Sequence, residues 1–101
     1  MMTTMITPLG DHQIGPATAT LKAIANESRL RILCLLMQGE HSVTQINREM
    51  TLSQSALSQH LAVLRQERLV ATRRSSQVIY YSLNGDVAER LIQTLGKLDI
   101  A

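Results

Sequence analysis

Apolar residues recur along most of the chain with the period of an α-helix. Leu30, Leu33, Cys34 and Met37 fall at positions i, i+3, i+4 and i+7, the spacing of a helix that buries one side. Similar spacing predicts further helices over roughly 17–25, 42–50, 53–68 and 85–98. Residues 1–16 are rich in threonine, glycine and proline, so we expect a flexible N-terminal arm there and one domain over 17–101.

Short polar residues stand where the predicted helices should begin. Asn26, Ser42 and Ser53 each precede a periodic segment, and Gln45 follows Ser42 at the spacing of a capping box. Asn84 is the expected cap of the last helix, with Asp86 in its first turn, where the helix dipole favours an anion.

The hydrophobic period changes after Arg68. The segments "LVATRR" and "QVIYYSLN" are rich in β-branched and aromatic residues and flank "SSQ", which predicts a β-hairpin. About three residues join the third and fourth helices, a spacing typical of a helix-turn-helix, and the hairpin that follows is then a wing. The predicted fold is mainly α with a β-hairpin wing, in the order α-α-α-α-β-β-α: a winged helix-turn-helix.

The first half of the fourth helix is lined with short, neutral hydrogen-bonding side chains. Leu57, Leu61 and Leu64 take the inward positions. The N-terminal part of such a helix enters the DNA major groove, where Gln can pair with adenine and Ser with several base edges. A merely solvated surface is the alternative, which the flanking turn and hairpin disfavour. The candidate contacts on this helix are Ser53, Gln54, Ser55, Ser58, Gln59 and His60.

Basic residues add a second set of candidate DNA contacts. Arg73, Arg74 and Gln77 surround the predicted wing tip, where they could contact phosphates or the minor groove. Charges that protect an edge strand are the alternative for the wing. Arg65 lies near the end of the fourth helix, where it either contacts the DNA backbone or complements the helix dipole.

Composition narrows the class of protein. The 101 residues are 45% hydrophobic but only 2% aromatic, which suits one small domain with an aliphatic helical core, stabilised further by a partner subunit. The net charge of +2 is compatible with an anionic partner. We find no glycine-rich phosphate loop, nucleophile elbow or paired carboxylates, so we expect no enzyme and no cofactor. The apolar runs are too short to span a bilayer and the N-terminus does not resemble a signal peptide, which predicts a cytoplasmic protein.

Three segments together carry a family resemblance. "LKAIANESRLRILCLL", "LSQSALSQHLAVLRQERLV" and "TRRSSQVIYYSLN" resemble the ArsR/SmtB family of bacterial winged-helix repressors, over about residues 19–99. Within it, they are most similar to the HlyU/BigR/SqrR-type redox and sulfide regulators and to NolR-like repressors.

The resemblance implies a homodimer that binds an imperfect inverted repeat near a promoter. The first and last helices would form the dimer interface, and the fourth helix would be the recognition helix. Ordinary packing within one chain is the alternative for these apolar residues, and both can hold at once. The implied interface residues are Leu21, Ile24, Leu91, Leu95 and Leu98.

Most residues with which relatives sense metals or oxidants are absent from this sequence. Some relatives hold metals through a Cys-x-Cys on the third helix or through Asp and His pairs on the last one. The third helix of this chain has no cysteine and its last helix has no histidine, so we expect no metal site. The resemblance also implies a redox role for a cysteine at Cys34, but Ile100 stands where the second cysteine would be, which excludes an intrachain bridge. Because Cys34 lies on the predicted apolar stripe, we expect a structural cysteine.

We therefore predict a sequence-specific transcriptional regulator that represses as a homodimer on double-stranded operator DNA, with no identified small-molecule effector. Two alternatives remain from the sequence. One is a redox- or sulfur-responsive repressor that acts through Cys34 alone. The other is a winged-helix module that binds proteins instead of DNA.

Overall fold

The computed structural model describes residues 7–101 and contains five helices and three strands in that range. No helix in this range is long and apolar enough to cross a membrane. The order confirms the predicted winged helix-turn-helix and adds one short strand before the third helix. The elements are α1 Asp11–Ile24, α2 Glu27–Leu36, β1 His41–Ser42, α3 Val43–Glu49, α4 Gln54–Gln66, β2 Val70–Ser75, β3 Val78–Leu83 and α5 Val87–Lys97.

The first helix begins at Asp11, so the predicted start at Ala17 is wrong and residues 11–16 are helical. The side chain of Gln13 reaches back and accepts a hydrogen bond from the Gly10 N–H at 3.0 Å, which holds the first turn. Pro16 lies inside the helix and removes one backbone donor, the partner of the His12 carbonyl. His12 is exposed, so water can satisfy that carbonyl. Residues 1–6 of the expected arm lie outside the described residues.

Three of the four predicted helix caps are confirmed. Asn26 Oδ1 accepts from the Arg29 N–H at 3.0 Å, and Ser53 Oγ accepts from the Ala56 N–H at 3.1 Å. Ser42 and Gln45 form the predicted capping box, with reciprocal hydrogen bonds of 3.1 and 2.8 Å. Each bond satisfies a backbone donor that the first helical turn leaves unpaired.

The prediction that Asn84 caps the last helix is wrong. Asp86 is the N-cap of α5, and Asn84 instead donates from Nδ2 to the Arg68 carbonyl at 2.9 Å. Its backbone N–H also donates to the Leu69 carbonyl at 3.0 Å. Arg68 has a left-handed φ of 59°, so the chain turns sharply there as α4 ends. The side chain of Asn84 therefore ties the end of β3 to that turn.

The sheet has the strand order β1-β3-β2, and all pairs are antiparallel. β2 and β3 form the predicted hairpin, with pairs from Val70 opposite Leu83 to Ser75 opposite Val78. β1 pairs His41 with Tyr81 and Ser42 with Tyr80. Two residues carry no hydrophobic period, so the sequence could not predict β1. This strand joins the base of the wing to the helix-turn-helix.

The core contains aliphatic side chains from α2, α3 and α4. Ile32, Leu33, Ile46, Leu57 and Leu64 are completely buried. Cys34 is exposed, so the predicted burial of this cysteine is wrong. The residues from Ile32 to Met37 are all apolar, so two helical faces fit the same spacing, and the structure buries the face of Ile32, Leu33 and Leu36.

Candidate nucleic-acid interface

The two sides of α4 differ sharply. Leu57, Leu61 and Leu64 are buried and anchor the helix to the core. The polar residues of its first two turns and its cap point to solvent, as the sequence predicted for a surface that could contact a ligand. Exposed on this side are Ser53, Gln54, Ser55, Ser58 and Gln59.

Four of these five side chains are available for intermolecular hydrogen bonds. Within residues 7–101, no side-chain hydrogen bond occupies Gln54, Ser55, Ser58 or Gln59. Ser53 is different, because its hydroxyl accepts from the Ala56 N–H at 3.1 Å and so caps the helix. Its capping bond leaves its O–H proton able to donate elsewhere.

His60 lies apart from this exposed surface. Its side chain is half-buried, and its Nδ1 lies 3.3 Å from Arg29 Nη1. Arginine can only donate, so this contact requires Nδ1 of His60 to accept. Arg29 also donates to the carbonyls of Ala23 and Lys22 at the end of α1. His60 therefore links α4 to the α1–α2 corner, a position that disfavours base contact.

The first arginine of the wing is already engaged. Arg73 donates from Nε and Nη2 to the two carboxylate oxygens of Glu40, both at 2.7 Å. Its guanidinium carbon also lies 4.5 Å from the centre of the Tyr80 ring, a cation–π arrangement. The hydrogen bond from Arg73 lowers the pKa of the Glu40 carboxyl below its ordinary value, and the same bond raises the pKa of Arg73. Glu40 and Tyr80 were missed, since nothing in the sequence links positions 40 and 73.

The remaining basic candidates are exposed. Arg74 and Gln77 lie at the wing tip, and no carboxylate in the described part of the chain pairs with Arg74. Arg65 lies in the last turn of α4 and lines an open groove of about 530 Å³ between α4 and the wing. Ser58 lines the α4 side of this groove, and Tyr81 lines the β3 side. Helix α4 and the wing thus flank one groove.

The predicted dimer-interface residues divide into two groups. Leu21 and Leu98 are both 55% exposed, and Leu95 is also exposed. Ile24 is buried in its own chain and Leu91 packs against the core, so these two have the intrachain role that the sequence left open. Ile14 and Val87 add to the exposed apolar surface of α1 and α5. Ile14 was missed because the predicted helix began too late.

Cys34 lines a shallow groove of about 450 Å³ together with Leu30, Arg31 and Met50. Its thiol is open to solvent instead of filling the core. Within residues 7–101, no three His, Cys, Asp or Glu side chains cluster in a way that could hold a metal ion.

Comparisons with known proteins agree with this geometry. Residues 26–72 match the model of the family described as bacterial regulatory protein, arsR family. The transcriptional activator HlyU of Vibrio cholerae is 48% identical over 82 residues, which cover 81% of this chain and 76% of that protein. The biofilm growth-associated repressor of Agrobacterium fabrum is 44% identical over 75 residues, which cover 74% of this chain and 64% of that protein.

Solved structures have the same fold. The crystal structure of NolR from Sinorhizobium fredii has a TM-score of 0.84 at 38% identity, and covers 98% of this chain and 99% of that one. The homodimeric winged helix-turn-helix DNA-binding domain of Mb0332 from Mycobacterium bovis has a TM-score of 0.75 at 32% identity, and covers 90% of each chain.

Proposed function

The chain belongs to the ArsR family of bacterial transcriptional regulators, and we propose that it represses transcription as a homodimer on an inverted-repeat operator. It is a DNA-binding regulator and not an enzyme. One observation carries the proposal: the exposed side of α4 presents Gln54, Ser55, Ser58 and Gln59 without internal hydrogen bonds, on a helix anchored by buried leucines. Because bacterial promoter DNA lies in the cytoplasm, we also infer that the protein acts there.

The proposed DNA contacts fall into two kinds. Gln54, Ser55, Ser58 and Gln59 contact base edges in the major groove, because their short neutral side chains allow the helix to approach closely. Exposed cationic and polar groups of Arg65, Arg74 and Gln77 contact the backbone beside them. Ser53 contributes mainly by capping the recognition helix, and its hydroxyl proton can donate to a phosphate.

The proposed dimer buries the exposed apolar side chains of α1 and α5. Complete burial of a fully exposed leucine contributes about 1.5–3 kcal/mol. Leu21 and Leu98 are 55% exposed and Leu95 is 37% exposed, so each supplies part of that value to the dimer. A two-fold dimer presents two α4 helices to successive major grooves, about 34 Å apart. The operator is therefore an inverted repeat, and occupancy of the promoter blocks polymerase.

Selection from a random library of DNA duplexes tests this function. The purified protein should enrich an inverted repeat whose half-sites are about 10–10.5 bp apart, and its affinity should fall steeply with salt because phosphate contacts release counterions. Failure to bind any duplex at low ionic strength would contradict the proposal and favour the protein-interaction alternative.

The exposed thiol favours a second candidate function, a redox- or sulfur-responsive repressor that acts through Cys34. An exposed thiol can be oxidised or persulfidated, or can bridge to a second molecule. Operator binding by the wild type and by Cys34→Ser should be compared before and after treatment with peroxide and polysulfide. Loss of binding only in the treated wild type supports this candidate, and equal responses of the two proteins contradict it.

A further inference from the structure

The ion pair between Arg73 and Glu40 crosses the middle strand of the sheet. Arg73 lies on β2 opposite Tyr80 of β3, and Glu40 immediately precedes β1, which pairs with the other edge of β3. To reach Glu40, the Arg73 side chain passes over the Tyr80 ring at 4.5 Å. The sheet thereby brings together two residues that are 33 positions apart in sequence.

The geometry of this pair is the one that arginine uses for phosphates. Two parallel N–H groups donate to two oxygens, each at 2.7 Å. Guanidinium groups bind carboxylates and phosphates through the same planar fork, so one fork cannot hold both ligands at once. In the described part of the chain, the neighbouring Arg74 has no such partner. The two arginines of the wing therefore differ in their availability.

We propose that Glu40 is a positioning residue of the wing: its carboxylate occupies the fork of Arg73 and withholds it from the DNA backbone, so that Arg74 supplies the phosphate contact. This inference rests on the proposed DNA-binding function and specifies the wing's part in it. Glu40 therefore lowers the affinity of the protein for DNA of any sequence.

Electrostatics explains why DNA does not simply displace Glu40. The side chains of Arg73 and Glu40 are 56% and 33% exposed. An ion pair with this exposure contributes little to stability, and a phosphate can reach its arginine. Displacement, however, would leave an unpaired carboxylate beside the negatively charged backbone. The hydrogen bond from Arg73 lowers the pKa of Glu40 while the two are paired. A glutamate with its ordinary pKa is also ionised at neutral pH, so the displaced carboxylate would still carry its charge.

The test measures salt-dependent binding of one duplex by wild type, Glu40→Gln, Arg73→Gln and the double variant. Glu40→Gln should raise affinity for specific and random duplexes alike. It should steepen the slope of log K against log salt by about 0.9, the value for one more neutralised phosphate. In the Arg73→Gln background, the same Glu40 substitution should leave the slope unchanged. A structural role alone would not produce this dependence on Arg73.

Two outcomes of this experiment would contradict the inference. An unchanged or flatter slope in Glu40→Gln overturns the inference, as does equal steepening with and without Arg73, which would indicate simple charge repulsion. Glu27→Gln is the matched control, because Glu27 forms an exposed ion pair with Arg31 on α2, and it should leave the slope unchanged. Thermal melts verify that each variant folds. If wild type binds no duplex, both this inference and the proposed function fail; if only Glu40→Gln is without effect, the inference alone fails.

Discussion

Helix α4 and the β2–β3 wing flank the same groove but present different chemistry. The exposed side of α4 has small neutral groups with no internal partners, held in position from behind by buried leucines. The wing has two adjacent arginines, of which Arg73 is bound to Glu40 and Tyr80. One surface is open and uncharged, and the other is charged and partly occupied.

Under the proposed function, the two surfaces have different tasks. Hydrogen bonds from neutral side chains distinguish bases but contribute little long-range attraction, whereas arginines attract any phosphate. A helix that provides specificity needs a rigid support, which the leucines supply. We propose that the wing provides attraction, which the Glu40 carboxylate adjusts without changing which sequence is bound.

The largest expected effect comes from removing the support of α4. Leu57→Ala should lower the free energy of unfolding by about 2–5 kcal/mol, because it leaves a cavity in a fully packed core. Ser58→Ala, its exposed neighbour, should change stability by less than about 0.5 kcal/mol. Chemical denaturation of both variants measures the two values, and equal losses would contradict the two-sided description of α4.

Specific binding should be the next most sensitive property. Gln59→Ala should weaken operator binding by about 1–3 kcal/mol and relax the preference at one base position, since Gln can make a bidentate contact to adenine. Gln66→Ala, at the other end of the same helix, is the matched control and should keep the preference. A Gln59→Ala variant with an unchanged profile across operator variants would remove this residue from the base contacts.

Ser53 should affect stability more than base preference. Ser53→Ala should lower the free energy of unfolding by about 1 kcal/mol, because it leaves the Ala56 N–H without its cap. Ser55→Ala lacks this loss and should be nearly neutral in the same thermal or denaturant melts. Equal stability of the two variants would argue against the capping bond.

The smallest expected effect is a difference in the salt dependence of DNA binding between variants of the two wing arginines. Arg74→Ala should weaken binding to all duplexes alike and flatten the salt slope by about 0.9. Arg73→Ala should change the slope much less, because Glu40 already holds its guanidinium. Equal slopes for the two variants, measured by fluorescence anisotropy across a salt series, would contradict the asymmetry of the wing.

Local signals in the sequence were enough to predict most of the fold. Asn26, Ser42 and Ser53 are caps whose hydrogen bonds involve residues only three positions away, so their patterns are visible in the chain. The hairpin follows from the change of period after Arg68. The start of α1 was predicted too late, because glycine and proline in residues 1–16 suggested irregular backbone. The helix nevertheless continues through Pro16, where it loses only one backbone hydrogen bond.

The site was less predictable, because exposure and pairing depend on tertiary packing. The apolar run around Cys34 fits two buried faces equally well, and only packing against the other helices selects one. The exposed side of α4 was predictable because its leucines fix the orientation of the helix. The pairing of Glu40 with Arg73 arises from the order of strands in the sheet, which no local pattern encodes.

NMR titration of the labelled protein with its selected duplex tests the central claim most directly. The side-chain amide signals of Gln54 and Gln59 should shift strongly on binding, together with backbone signals of residues 53–59, while the amide of Gln93 on α5 stays in place. Unshifted Gln54 and Gln59 signals in a saturated complex would contradict the claim that the exposed side of α4 contacts the bases.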